Sequence, residues 1–399
     1  MLEVDAALQF VLDRTPILPT ESVVVDASAL RRIVAQDYAS DIDSPPFDKS
    51  IMDGYALRSS DAAPGAALTV IEEVAAGRTP TKIVGVGHAT RVMTGAPIPS
   101  GADAVIPHEE TELAGNIVRL KTVAKPGQHI LTQGREMRAG EVVVPAGTRV
   151  TPAVVGLLAA IGQTSIWTYR KPVIAIISTG DELVDPSEKP GASQIRNSNG
   201  AMLVAQAADT GADVRYLGIA RDEPDVLSGL VREALENADI VLLSGGVSAG
   251  KFDFVPDVLR QRGVEAHFHK VRMKPGKPLL FGTRERTLVF GLPGNPVSSF
   301  VCFELFVRPA LRKMAGEAIP SGSFVATPLA VELKTRNDRP TYLPGQFEIT
   351  PGGRQVRASA WFGSADLRGL LKANALIRVD AGELVLPKGT LVPALALEL

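Results

Sequence analysis

The chain is poor in cysteine: among 399 residues there is one, Cys302. A single thiol excludes an intrachain disulfide and any zinc or iron–sulfur site built on several cysteines, and it fits a reducing compartment. Neither sign of charge dominates. Lysine and arginine number 42 against 44 aspartates and glutamates, a formal net charge of −2, so there is no global electrostatic footprint for nucleic acid or an anionic membrane. Long apolar runs are missing as well. The longest, from Ala153 to Ile161, is about half of the ~20 residues that a membrane-spanning helix requires. Near the start, Glu3 and Asp5 stand where an export signal would carry Lys or Arg, while Val4, Ala7, Leu8, Val11 and Leu12 keep a helical period. Neither a P-loop nor a dinucleotide-binding glycine fingerprint occurs. Together these absences predict a cytoplasmic protein that engages neither nucleic acid nor membrane.

What is present is average for a globular protein, with 45% hydrophobic and 22% charged residues, which excludes disorder for the bulk of the chain. The length predicts two to four domains. From residue 39 to 152, short β-branched runs (68–73, 103–107, 116–120, 141–144) alternate with Gly/Pro turns at 63–65, 99–101 and 145–147. This predicts a β-rich region, a small barrel or sandwich, closed by a helix over 151–162. After Pro172 the pattern changes. Strands at 173–177, 214–219, 240–243 and 288–291 alternate with helices at 199–210, 224–237, 254–262 and 296–311, the mark of a parallel sheet covered on both faces. Beyond about 320, short strands return (323–327, 355–360, 375–379) as a second, smaller β domain. The fold class is therefore multidomain α/β plus β.

In open parallel sheets, ligands bind beyond the carboxyl ends of the strands. Those ends carry Ser178-Thr179-Gly180-Asp181-Glu182, Ala220-Arg221-Asp222-Glu223, the run Ser244-Gly245-Gly246-Val247-Ser248 followed by Asp253, and Leu292-Pro293-Gly294-Asn295-Pro296. Glycine allows close backbone approach to a ligand, and hydroxyls and free N–H groups bind oxyanions. Asn295 reads as an N-cap and Pro296 as the first helical position, leaving N–H donors for an anion; plain crossover turns are the alternative. Glu182 or Asp181, Asp222 and Asp253 would converge. Like charges in such a set call for a divalent cation, with magnesium the best match to hard oxygen ligands, or for protonation of one member; solvated helix starts are the alternative here. Opposite in charge is 267–278, where strand alternation puts Lys270, Arg272 and Lys274 on one face and a Pro-Gly turn returns Lys277. That face suits a polyanionic small ligand, or it guards an edge strand. His267 and His269 read as packing or surface residues. The segments 45–56 and 92–97 are too broken by Gly and Pro for plain core strands, though turns in a barrel would also explain them.

Six segments, taken together, are recognisable: 45–58, 93–104, 178–184, 244–253, 274–281 and 292–298. The chain resembles the molybdopterin molybdenumtransferases, whose eukaryotic relatives include the gephyrin E domain. The resemblance implies a central α/β domain of the molybdopterin-binding type at 171–318. An N-terminal β-rich domain at 41–140 and a C-terminal small β-barrel domain at 319–399 would flank it. Residues 1–40 and 141–170 would form a discontinuous linker and dimerisation domain. It implies an enzyme that inserts molybdate into adenylylated molybdopterin and releases AMP, with Mg²⁺ required. It also implies a homodimer with its cleft shared between subunits, and as further partners the upstream adenylyltransferase and molybdoenzyme acceptors. Carried over residue by residue, Asp53 and Thr94 would face the cleft from the partner subunit. Glu182, Asp222 and Asp253 would line it as catalytic or magnesium-associated acids. Lys270 and Lys274 would hold molybdate or phosphate, with Pro293, Pro296 and Ser364 bordering the site. Gly245, Gly246, Ser248, Gly294 and Asn295 belong to its substrate loops. Four positions depart from the family pattern: Lys49 for Asn, Glu136 for a shorter acid, Asn197 for Asp, and Lys251 for an acid. A tungstate-preferring homologue or a non-catalytic molybdopterin-binding scaffold or carrier would share the same motifs, and a nucleotide-phosphate hydrolase would share the α/β domain.

Overall fold

The computed structural model describes residues 1–221, 223–247 and 254–397. The chain divides into two compact units. One comprises Met1–Ala35, Gly147–Thr151 and Ile166–Leu399, the other Gln36–Ala146 and Pro152–Ser165.

The centre of the first unit is a six-stranded sheet. Its order is Asp213–Ala220, Val173–Thr179, Ile240–Ser244, Thr287–Leu292, Pro278–Arg284 and Glu265–Lys270. Strand parity explains how both faces are covered. Ile174, Ile176, Ile240, Leu242, Leu288 and Phe290 pack into one apolar cluster with the helices Ser198–Asp209 and Pro296–Cys302. Their neighbours Ala175, Ile177, Val241, Leu243 and Val289 pack into a second with Pro224–Asn237 and Val255–Gln261. Burying each of these larger side chains stabilises the unit by about 1.5–3 kcal/mol.

Two features differ from the reading of the sequence. The sheet is parallel only across its first four strands; the last two join it antiparallel. The connections on either side of Pro278–Arg284, residues 271–277 and 285–286, are too short for a crossover, which needs a dozen or more residues. They reverse instead at Gly276, with φ +104°, and at Glu285, with φ +53°. The helix expected over 296–311 runs as Pro296–Cys302, a π-helical turn at Phe303–Val307, and Arg308–Met314. Within it, Arg308 pairs with Glu304 at 2.6 Å, both side chains about 95% buried.

The rest of the first unit is β-structure and an N-terminal helix, Val4–Arg14, that buries Val4, Ala7 and Val11. A five-stranded antiparallel sheet runs in the order Phe324–Pro328, Leu391–Ala396, Ala375–Val379, Thr341–Thr350 and Gly353–Ala358. A two-stranded ladder, Leu333–Asn337 with Gly382–Leu386, accompanies it. In the second unit a six-stranded sheet runs Ala104–Pro107, Gly54–Leu57, His88–Val92, Ala67–Val74, Ile117–Leu120 and Thr111–Ala114. Val142–Val144 lies outside that sheet, paired with Tyr38–Ala39. Among the described residues no helix is long and apolar enough to cross a membrane.

Candidate functional site

At the carboxyl end of the parallel strands, three loops are held together by one backbone and one side-chain hydrogen bond. Gly245 N–H donates to the Leu292 carbonyl at 3.0 Å, and Thr179 Oγ1 donates to the Ser244 carbonyl at 3.3 Å. Gly245 has φ +95°, and a Cβ there would collide with the Thr179 carbonyl oxygen. Gly246, with φ +63°, is equally closed, its would-be Cβ 2.8 Å from Val255 Cγ2. A side chain not anticipated from the sequence ties these loops together. Asn199 Nδ2 donates to Ser244 Oγ at 3.0 Å and to the Gly294 carbonyl at 2.7 Å. Its Oδ1 is buried and has no partner. Glu182 is exposed and lies so close to Gly180 that a Cβ there would strike its carboxylate. The other acids expected beside it, Asp222 and Asp253, and the loop residue Ser248 lie outside the described residues. Among the described residues no group of three or more His, Cys, Asp or Glu side chains is placed to hold a metal.

Next to these loops runs a groove of about 670 Å³ whose lining includes Lys274, Lys277, Lys334, Arg336 and Arg339 and no carboxylate. Lys274 Nζ donates to Asn337 Oδ1 at 2.9 Å. Lys334, Arg336 and Arg339 have carboxylates at 3.0, 4.0 and 3.3 Å, those of Glu332, Glu383 and Asp338. All three acids stand outside the lining, and exposed pairs of this kind hold a cation only weakly. Thr335 Oγ1 and Arg339 Nε are buried without a hydrogen-bond partner. Behind it, Gly276 leaves room for Cys302: a Cβ on Gly276 would sit 2.6 Å from Cys302 Sγ. Burial holds that thiol protonated, far above its ordinary pKa.

Asn295 and Ser364 meet at this groove. Asn295 stands at the N-cap position of Pro296–Cys302, yet its side chain makes no capping bond. Instead Asn295 Nδ2 donates to Ser364 Oγ at 3.0 Å, and Val297 N–H donates to the Ser364 carbonyl at 2.9 Å. The helix start expected to be open to an anion is thus partly satisfied from the C-terminal segment. Pro293 offers its carbonyl to the Ser299 hydroxyl, and Pro296 opens the helix.

The two lysines assigned together from strand alternation are separated. Glu265–Lys270 ends at Lys270, which lines a shallow depression with Met1, Leu2, Phe268 and His269. Beyond it the chain leaves strand geometry, Arg272 turning to Glu3 at 3.0 Å and a cis bond preceding Pro275. Only Lys274 reaches the basic groove. The cations that join it there, Lys334, Arg336 and Arg339, went unremarked in the sequence, although the run Lys334-Thr335-Arg336-Asn337-Asp338-Arg339 carried the signal.

In the second unit the structure brings Asp53 and Thr94 together. The Thr94 N–H and hydroxyl donate to Asp53 Oδ1 at 2.6 and 2.8 Å. Those bonds, the backbone one first, hold the Asp53 carboxyl below the usual carboxylate range, so it stays ionised at neutral pH. Two of the four departures pair with each other: Lys49 Nζ stands 3.7 Å from Glu136 Oε1, whose Oε2 accepts the Ser44 hydroxyl at 2.7 Å. A third, Asn197, is buried and fully used, donating to Ser178 Oγ at 2.9 Å and Tyr216 OH at 2.6 Å and accepting from Gly200 N–H at 2.9 Å. Lys251 lies outside the described residues.

Comparison with known proteins accounts for the three regions in turn. Residues 2–162 match the MoeA N-terminal region (domain I and II), 175–313 a probable molybdopterin binding domain, and 326–397 the MoeA C-terminal region (domain IV). A molybdopterin molybdenumtransferase of Nostoc sp. is 36% identical over 380 residues, covering 92% of this chain and 87% of that protein. The chain belongs to the molybdopterin molybdenumtransferase family. A second member, from Staphylococcus aureus, is 33% identical over 387 residues, covering 96% of this chain and 92% of its own length. The similarity extends to three dimensions. A crystal structure of the molybdopterin biosynthesis MoeA protein from Pyrococcus horikoshii OT3 superposes with a TM-score of 0.84 at 31% identity, covering 99% of this chain and 100% of that one. The basic groove draws Lys274, Lys277 and Asn295 from the molybdopterin-binding region and Arg339 and Ser364 from the C-terminal region.

Proposed function

We propose that this chain is an enzyme that inserts molybdate into adenylylated molybdopterin, releasing AMP and forming the molybdenum cofactor. One observation carries the reading: a groove of about 670 Å³, free of lining carboxylates, where Lys274, Lys277, Lys334, Arg336 and Arg339 gather beside the Asn295–Ser364 contact. Molybdate and a phosphoanhydride are both oxyanions, and a site rich in fixed cations and hydroxyls suits both. Lys274, Arg339 and Ser364 would hold the oxyanion; Asn199, Gly245, Gly246 and Gly294, with Ser248, would line the adjoining part of the substrate site. Asp53 with Thr94 would act on a neighbouring copy's substrate. Glu182, together with Asp222 and Asp253, offers the hard oxygen ligands that Mg²⁺ uses, and the ion would neutralise the adenylate phosphate as AMP departs. The protein's own part is to hold two anions and a cation in register, which lowers the barrier by proximity. Segments 1–40 and 141–170 would form the dimerisation domain, and the site of action would be the cytoplasm.

The test is AMP release from adenylylated molybdopterin with magnesium and either molybdate or tungstate. Release that requires both oxyanion and magnesium is expected, and the faster oxyanion names the physiological one. Lys274→Ala should lower turnover about 10²-fold, as loss of one oxyanion contact does. Oxyanion-independent release would instead indicate a hydrolase, and binding without release a carrier.

A further inference from the structure

The basic groove is far roomier than a tetrahedral oxyanion needs; about 670 Å³ falls within the ~300–1,000 Å³ that small organic ligands occupy. One wall of it is aromatic. Trp361 lines the groove together with Lys274, Lys334 and Arg339, although aromatic residues make up only 5% of the chain and tryptophans number 2. The indole is held in place from behind. Trp361 packs against the apolar clusters of both the six-stranded and the five-stranded sheet, and Gly369 approaches it so closely that a Cβ there would lie 2.5 Å from Trp361 Cβ. Its neighbour Phe362 is 98% exposed and is absent from the groove lining, so the chain turns one aromatic of the pair inward and the other out.

An aromatic side chain fixed beside cations is an arrangement that receives planar, anionic heterocycles: the base stacks and the phosphate meets the charges. We infer that Trp361 is a specificity-determining wall on which the planar heterocycle of the phosphorylated substrate, adenine or pterin, stacks. This rests on the proposed reading of the groove and deepens it, since the oxyanion alone would not use an indole.

The experiment measures binding rather than turnover. Trp167 is 47% exposed and does not line the groove, so Trp167→Phe leaves Trp361 as the only indole reporter. Its fluorescence is titrated with AMP, with inorganic molybdate and with inorganic phosphate. Calorimetry with AMP and with a phosphate-free pterin is run on the unmodified chain and on Trp361→Ala and Trp361→Phe. Saturable quenching by AMP but by neither inorganic anion is expected if adenine is the stacked group, and loss of pterin affinity alone assigns the pterin. In either case Trp361→Ala weakens that ligand about tenfold, Trp361→Phe restores most of the loss, and molybdate affinity is unchanged. Unaltered affinity for both heterocycles in Trp361→Ala overturns the inference. So does an equal loss of molybdate affinity, which would make the indole a structural support of the groove. A variant that still releases AMP in a molybdate-dependent way while binding both heterocycles normally removes this inference and leaves the proposed function standing.

Discussion

Gly245 and Gly294 stand on facing loops at the same end of the sheet, and their surroundings separate a structural glycine from one with room to spare. Gly245 combines φ +95° with a backbone oxygen where a Cβ would go. Gly245→Ala therefore has to move the loop or distort Thr179, and should lower unfolding stability by about 2 kcal/mol or more. At Gly294 the nearest atom to a built Cβ is Gly245 Cα at 3.9 Å, an ordinary contact, so Gly294→Ala should change stability by less than about 0.5 kcal/mol. Denaturant melts of the two variants compare these directly; equal losses would contradict the geometry. Asn199→Ala belongs in the same series. It removes both donated bonds that join Ser244 and Gly294 and strips the buried Ser244 hydroxyl of that partner, a cost of about 1–3 kcal/mol. If Asn199 Oδ1 receives a ligand donor, Asn199→Asp keeps that acceptor while losing both donated bonds, and should bind substrate better than the alanine variant.

The N-terminal helix Val4–Arg14 shows how one element's docking depends on a titratable group. Phe10 meets the His267 ring at a centroid distance of 5.4 Å, and His267 Nε2 contacts Thr283 Oγ1 at 2.8 Å. Burial first, and the Arg14 guanidinium second, hold the His267 pKa below its ordinary value, against the opposing pull of Glu265. The unfolded chain then binds more protons at this position than the folded one once the pH drops below about 6.5. Stability is fully present above that pH and declines as the pH falls, until the folded-state pKa is passed. His267→Gln should flatten this part of the pH–stability profile; an unchanged slope would place the dependence elsewhere. The same stretch shows where the sequence is legible and where it stops. Val173–Thr179, Pro224–Asn237 and Ile240–Ser244 announce themselves because their apolar periods answer to a core lying directly above or below them. The path after Lys270 does not, because a bulged register, the Pro275-Gly276 reversal and a bridge from Leu2 to Val271 are long-range outcomes. For the site, loops at strand ends were legible from the α/β pattern alone. Arg339 and Trp361 were not, because nothing local ties the C-terminal segment to Lys274; their meeting is a tertiary event.

At the scale of the whole molecule, the question is where the acids of the second unit act. Asp53 is exposed and held ionised by Thr94, and in the segment leading to it Phe47, Ile51 and Met52 are 39, 46 and 37% exposed. A segment that exposes several large apolar side chains beside a carboxylate in sequence has the composition of a surface that meets another protein surface. Under the proposed homodimer, Asp53 of one copy serves the groove of the other, and two defective chains should then repair each other. Asp53→Ala and Lys274→Ala, each nearly inactive alone, are co-expressed with different tags and purified through both. Random pairing makes half the dimers mixed, each with one intact groove, so the unselected mixture should recover about a quarter of full activity and the doubly selected fraction about half. Light scattering should give twice the 42.2 kDa chain mass. A dimer without recovered activity would place Asp53 in the same chain's site or outside the reaction, and a monomer that releases AMP would dismiss the shared cleft. Recovery with no dimer detectable at micromolar concentration would point to assembly driven by substrate, because a ligand that bridges two copies stabilises their association by mass action.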